Sequence, residues 1–120
     1  MKLIRSFTYA WSGLKACFSS ETNFKIHIVS AIVAISLGFL LNISPVEWIA
    51  LIVCIAFVIA MEMVNTAIEK LCDLVEHDIH PGIKKVKDIA AGAVMMAAIG
   101  SLAIGLIIFL PKIIVIIKSF

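Results

Sequence analysis

The chain has 120 residues, of which 62% are hydrophobic and 15% charged, with a mean hydropathy of +1.14. Soluble domains sit near half apolar and a quarter charged, and a single 13.0 kDa globule cannot hide this much apolar surface from water, so the excess must face lipid. The formal net charge of +2 argues against a nucleic-acid partner, since the Lys and Arg residues gather at segment ends where membrane topology accounts for them. Cys17, Cys54 and Cys72 show neither CxxC nor Cys/His spacing, which argues against a disulfide framework and a zinc site.

The predicted architecture is an all-α integral membrane domain over residues 1–120. Leu3, Ile4, Phe7, Trp11, Leu14 and Phe18 recur at steps of three or four, while Lys2, Arg5, Ser12 and Lys15 fall largely elsewhere. That pattern predicts an amphipathic helix on the membrane surface, assigned to residues 1–27, with packing on a protein partner as the alternative. No continuous apolar core precedes Ser19, Ser20 and Glu21, so this segment does not read as a cleaved signal peptide and the mature chain is expected to begin at Met1.

A short first span is expected over 28–43, with Ser30, Ser36 and Asn42 as its polar interruptions and Asn42, Ser44 and Pro45 supplying turn chemistry. The second helix, 46–73, is apolar from Trp48 to Val64 except for Glu62. It then continues without a breaker to Asp73, so it runs past the lipid as a polar helix. The third, 86–110, contains the charge-free run Ile89 to Leu110, and Pro111 and Lys112 are expected to close it. Small residues at steps of four, Ser30, Ala34 and Gly38 and then Ala93, Ala97, Ser101 and Gly105, permit close helix packing in lipid. Lys2, Arg5, Lys15 and Lys25 precede the first span, and Lys70, Lys84, Lys85 and Lys87 lie between the second and third. The positive-inside rule places these on the cytoplasmic side, with Lys112 and Lys118 counting mildly against.

Glu62 asks for an explanation, because a carboxylate within a span costs about 2.5–3.5 kcal/mol on insertion scales. Glu62, Asn65, Thr66, Glu69 and Asp73 share one helical face, with Glu62 and Glu69 about 10 Å apart along the axis. One carboxylate can meet lipid and the other solutes. Interhelical packing and a proton or ion relay are open readings of this stripe. The basic cluster Lys84, Lys85, Lys87 with Asp88 favours phosphoryl transfer, which needs acids for Mg²⁺ beside lysines for phosphates. Neither GxxxxGK[ST] nor GxGxxG occurs, so any nucleotide site is of another kind.

The run Glu62, Met63, Val64, Asn65, Thr66, Ala67, Ile68, Glu69, then Asp73, then Lys87 to Val94, resembles the signature of the prokaryotic diacylglycerol kinase family, whose Gram-positive branch includes undecaprenol kinases. Trp11 to Leu14 and Glu21 to Lys25 join the likeness, which covers nearly the whole chain. The resemblance implies a homotrimer in the bacterial cytoplasmic membrane, with the N-terminus and active site on the cytoplasmic side. It also implies transfer of the γ-phosphoryl of MgATP to a lipid hydroxyl. On this likeness Glu62 is the catalytic base, Glu21 and Glu69 hold Mg²⁺ with ATP, and Asn65 and Asp73 support the site. Tyr9, Asp78, His80, Lys87 and Asp88 match ATP-contacting positions, and Trp11 joins Glu62 at the lipid. Two positions depart from the best-studied branch: Lys2, with Arg5 one turn on, stands where that branch has Arg, and His27 stands where it has an acid. His27 looks like the Gram-positive branch and shifts the expected acceptor from diacylglycerol toward undecaprenol.

Overall fold

The computed structural model describes residues 1–75 and 80–120. Among these residues the chain forms α1 (Lys2–Ser20), α2 (Thr22–Leu40), α3 (Pro45–Val75) and α4 (Pro81–Lys118). The last three are long and apolar enough to cross a membrane. The α3–α4 pairing is the most extensive, α2 packs on α3, and α1 touches α2 and α3 lightly.

The N-terminal helix ends earlier than the residue 27 expected from sequence, because Ser19, Ser20 and Glu21 break it. The Ser19 and Ser20 hydroxyls donate back to the Ala16 carbonyl at 3.2 and 2.6 Å, and the Glu21 amide donates to the Cys17 carbonyl at 3.0 Å. Glu21 itself is extended, ending α1 and opening α2. Lys25 and His27 therefore belong to the first membrane helix. Ser30 and Ser36 donate to the Ile26 and Ile32 carbonyls at 2.9 and 2.8 Å, which spares their hydroxyls an unpaired exposure to lipid.

The α2–α3 turn is fully specified by its residues. Asn42 takes the left-handed conformation with φ of 50°, the Ile43 amide donates to the Gly38 carbonyl at 3.2 Å, and the Asn42 amide to Phe39 at 3.4 Å. This is a Schellman closure. Ser44 and Glu47 then form a reciprocal capping box, with bonds of 2.9 and 3.2 Å around Pro45. Lys112 of α4 reaches the same Glu47 at 3.1 Å. Ile43, Leu51, Ile108 and Phe109 form the buried core beside this turn, at the end of the bundle remote from Glu62.

Pro111 does not close the third membrane helix, which continues through it to Lys118. In lipid a helix is the cheapest way to satisfy backbone groups, so one missing amide bends or weakens the ladder without ending it. At about 1.5 Å per residue, α3 and α4 exceed the bilayer's hydrocarbon core of about 30 Å. Both must project from it.

Candidate functional site

The polar stripe of α3 is placed as helical geometry requires. Glu62, Asn65 and Thr66 are the buried polar residues among those described, at 4%, 7% and 3% exposure. Asn65 Nδ2 donates to Glu69 Oε1 at 3.3 Å, one turn on. Asn65 Oδ1 is buried with no hydrogen-bond partner, an acceptor facing a cost unless a donor or cation reaches it.

Neighbouring helices complete the stripe. From α2, His27 Nε2 lies 3.4 Å from Glu62 Oε2. At the α1–α2 break, Glu21 Oε1 lies 3.7 Å from Lys70 Nζ, which brings Glu21 beside the turn of α3 that carries Glu69. Cys17 is buried among these groups. Burial pushes its thiol above the usual range, the Glu21 charge adds to this, Lys70 opposes it and Glu62 adds further. At the polar ends of α3 and α4, Lys87 Nζ meets Asp73 Oδ1 at 2.7 Å and Lys84 Nζ meets Asp88 Oδ2 at 2.7 Å.

The other residues singled out from sequence are arranged less tightly. Tyr9 and Trp11 stand exposed on α1, with the Lys15 ammonium 5.8 Å from the Trp11 ring centroid. His80 caps α4, its Nδ1 accepting from the Gly82 amide at 3.1 Å. Asp78 lies outside the described residues. Sequence reading also missed the inter-helix partners His27 to Glu62 and Lys70 to Glu21, since spacing within one segment carries no information about a neighbouring helix.

Among the described residues no three His, Cys, Asp or Glu side chains gather to hold a metal by themselves. Glu21 and Glu69 supply the carboxylate chemistry that Mg²⁺ takes, one or two carboxylates together with substrate phosphates rather than an all-protein cage. The unpaired Asn65 oxygen beside Glu69 adds a hard oxygen donor to that set.

Residues 8–109 match the prokaryotic diacylglycerol kinase family. The undecaprenol kinase of Bacillus subtilis is 40% identical over 111 residues, covering 92% of this chain and 90% of the relative. A Synechocystis diacylglycerol kinase is 36% identical over 91% of this chain, which spans 63% of that longer relative. The Escherichia coli K12 diacylglycerol kinase is 28% identical over 82% of this chain and 80% of its own length. This displaces the ion-relay reading of the acidic stripe, since the buried carboxylate, the flanking acids and the basic entry to α4 all lie within the matched residues. The chain belongs to the prokaryotic diacylglycerol kinase family and is a multi-pass membrane lipid kinase.

Proposed function

We propose that the chain phosphorylates undecaprenol, passing the γ-phosphoryl of MgATP to the lipid hydroxyl with Glu62 as general base. The observation that carries this is Glu62 itself, a carboxylate at 4% exposure on the same helical face as Asn65 and Glu69. In the step, Glu62 takes the hydroxyl proton as the lipid oxygen bonds to the γ-phosphorus, and the bond to the β,γ-bridging oxygen breaks to release ADP. Glu21 and Glu69 would hold Mg²⁺, which when bound offsets charge on the phosphate oxygens. Asn65 fixes Glu69 through its 3.3 Å bond. Lys87 and Asp88, with Tyr9, His80 and Asp78, receive the nucleotide, and Asp73 holds Lys87 in place at 2.7 Å. Trp11 lies on α1, whose Leu3, Ile4, Phe7, Trp11 and Phe18 stripe is left uncovered by the rest of the chain. That uncovered stripe supports a helix resting on the membrane surface beside the acceptor headgroup. The basic residues around Glu21 and Lys87 favour a cytoplasmic site, and the working unit is a homotrimer.

Undecaprenol is preferred over diacylglycerol because the Bacillus subtilis undecaprenol kinase shares 40% identity, against 36% and 28% for the two diacylglycerol kinases compared above. The test gives the purified protein labelled ATP, Mg²⁺ and each lipid in turn, with the other as competitor. Glu62→Gln should lower turnover by about 10²–10⁴-fold without altering assembly. Near-normal turnover would overturn the base assignment, and preferential labelling of diacylglycerol would overturn the acceptor.

A further inference from the structure

We propose that His27 is a positioning residue that aims the Glu62 carboxylate at the acceptor hydroxyl. The proposal rests on Glu62 being the base. Glu62 has a side-chain exposure of 5%, and the contact that orients it across a helix boundary is His27 Nε2 at 3.4 Å from Oε2. The polar neighbours of Glu62 on α3 are turned elsewhere: Asn65 Nδ2 goes to Glu69 and Lys70 to Glu21. A glutamate has several rotatable bonds, and one buried in an apolar helix bundle has no water shell to hold it. An imidazole nitrogen 3.4 Å from one carboxylate oxygen restricts the orientations open to the group and leaves the second oxygen to take a proton.

His27 also has a second neighbour. It lines an apolar cavity of about 640 Å³ between α2, α3 and α4, whose walls include Ser30, Ala34, Val58, Ser101 and Gly105. Among the lining residues, His27 is the one that carries a nitrogen base. It therefore stands where apolar space meets the buried carboxylate. A hydroxyl on a long apolar chain entering that space would reach the His27 end of the cavity, and Glu62, which does not line the cavity, lies 3.4 Å beyond the imidazole. A side chain at that junction governs the angle of approach, and a misplacement of about 1 Å there costs about 10²-fold in rate.

The experiment measures kcat and both KM values for His27→Ala, His27→Gln, Glu62→Gln and the His27→Ala/Glu62→Gln double variant in the full-length assembled protein. His27→Ala should lower kcat by about 10²-fold with the KM for ATP unchanged. His27→Gln, which keeps an N–H donor of similar reach, should recover most of that loss. In the double variant His27→Ala should cost nothing further, because it acts through Glu62. His27→Phe fills the space without a donor, and should be as slow as His27→Ala while keeping the fold. The proposal is overturned if His27→Ala raises only the lipid KM, if His27→Gln is as slow as His27→Ala, or if the two losses add. A fully active Glu62→Gln would instead overturn the base assignment beneath it, so the two failures are told apart.

Discussion

Gly38→Ala tests whether the scaffold is held where the structure holds it, apart from the chemistry. An added methyl at Gly38 would stand 2.6 Å from Trp48 Cη2, 2.9 Å from Cζ2 and 3.2 Å from Ile43 Cδ1, against about 3.5–4.0 Å for relaxed carbon contact. The indole cannot swing aside freely, because it packs on Phe39 with ring centroids 4.9 Å apart. The overlap falls at the upper end of the overpacking range, about 3 kcal/mol. Replacing glycine within a helix returns about 1 kcal/mol, so the net loss is about 2 kcal/mol. Gly100→Ala is the control: nothing lies within 4 Å of its added Cβ, and it should be neutral or gain up to about 1 kcal/mol. Denaturant titration in detergent, followed by tryptophan fluorescence, compares the two. Gly38 lies about 16 Å along α2 from His27 at about 1.5 Å per residue, so the folded fraction of Gly38→Ala should keep its turnover. Equal stability of the two variants would refute the close approach of α2 to Trp48.

Further outcomes follow from the site. Glu69→Ala should raise the Mg²⁺ and ATP requirement by at least the 10–100-fold or so that losing a ligand's own hydrogen-bond partner costs, with partial rescue by added Mg²⁺. An unchanged Mg²⁺ dependence with a raised lipid KM would reassign it. Lys87→Gln should lower kcat/KM for ATP by about 10²-fold, while Asp73→Asn, which loosens the clasp but keeps the cation, should cost less; the reverse order would make the pair structural. In a Cys54→Ala/Cys72→Ala background, Cys17 should alkylate more slowly than a free thiol, with its rate rising at higher pH, because burial and Glu21 hold its thiol protonated. A folded-state pKa raised in this way favours folding below the range of a free thiol, and the contribution is lost as pH rises through the folded value. Maleimide labelling read by mass spectrometry checks both halves.

The stripe from Glu62 to Asp73 was legible because it lies on one helix, where a period of 3.6 converts spacing into direction. The same rule made the long, breaker-free α3 readable. What could not be read was anything that crosses between helices. His27 carried no sign of Glu62 in its own segment, because a contact between α2 and α3 depends on the register set by the Asn42 turn. Pro111 misled because its effect is decided by surroundings: in water it ends a helix, and among apolar neighbours the chain has nowhere better to go. The end of α1 lies earlier than residue 27 because the serine hydroxyls that break the helix act through bonds to their own backbone, which apolar spacing does not report.

The unbroken run of α3 makes the protein a depth gauge. Glu47, clamped by Lys112 at one end, and Glu62 are separated by about 22 Å of continuous helix at about 1.5 Å per residue. Neither can shift along the membrane normal without carrying the other. With the Glu47 clamp held in a headgroup layer and the helix tilt unchanged, a bilayer thicker or thinner by a few ångströms would move the carboxylate relative to a hydroxyl anchored in the other leaflet. With Glu62 as the proposed base, membrane thickness would reach the rate through this continuous helix.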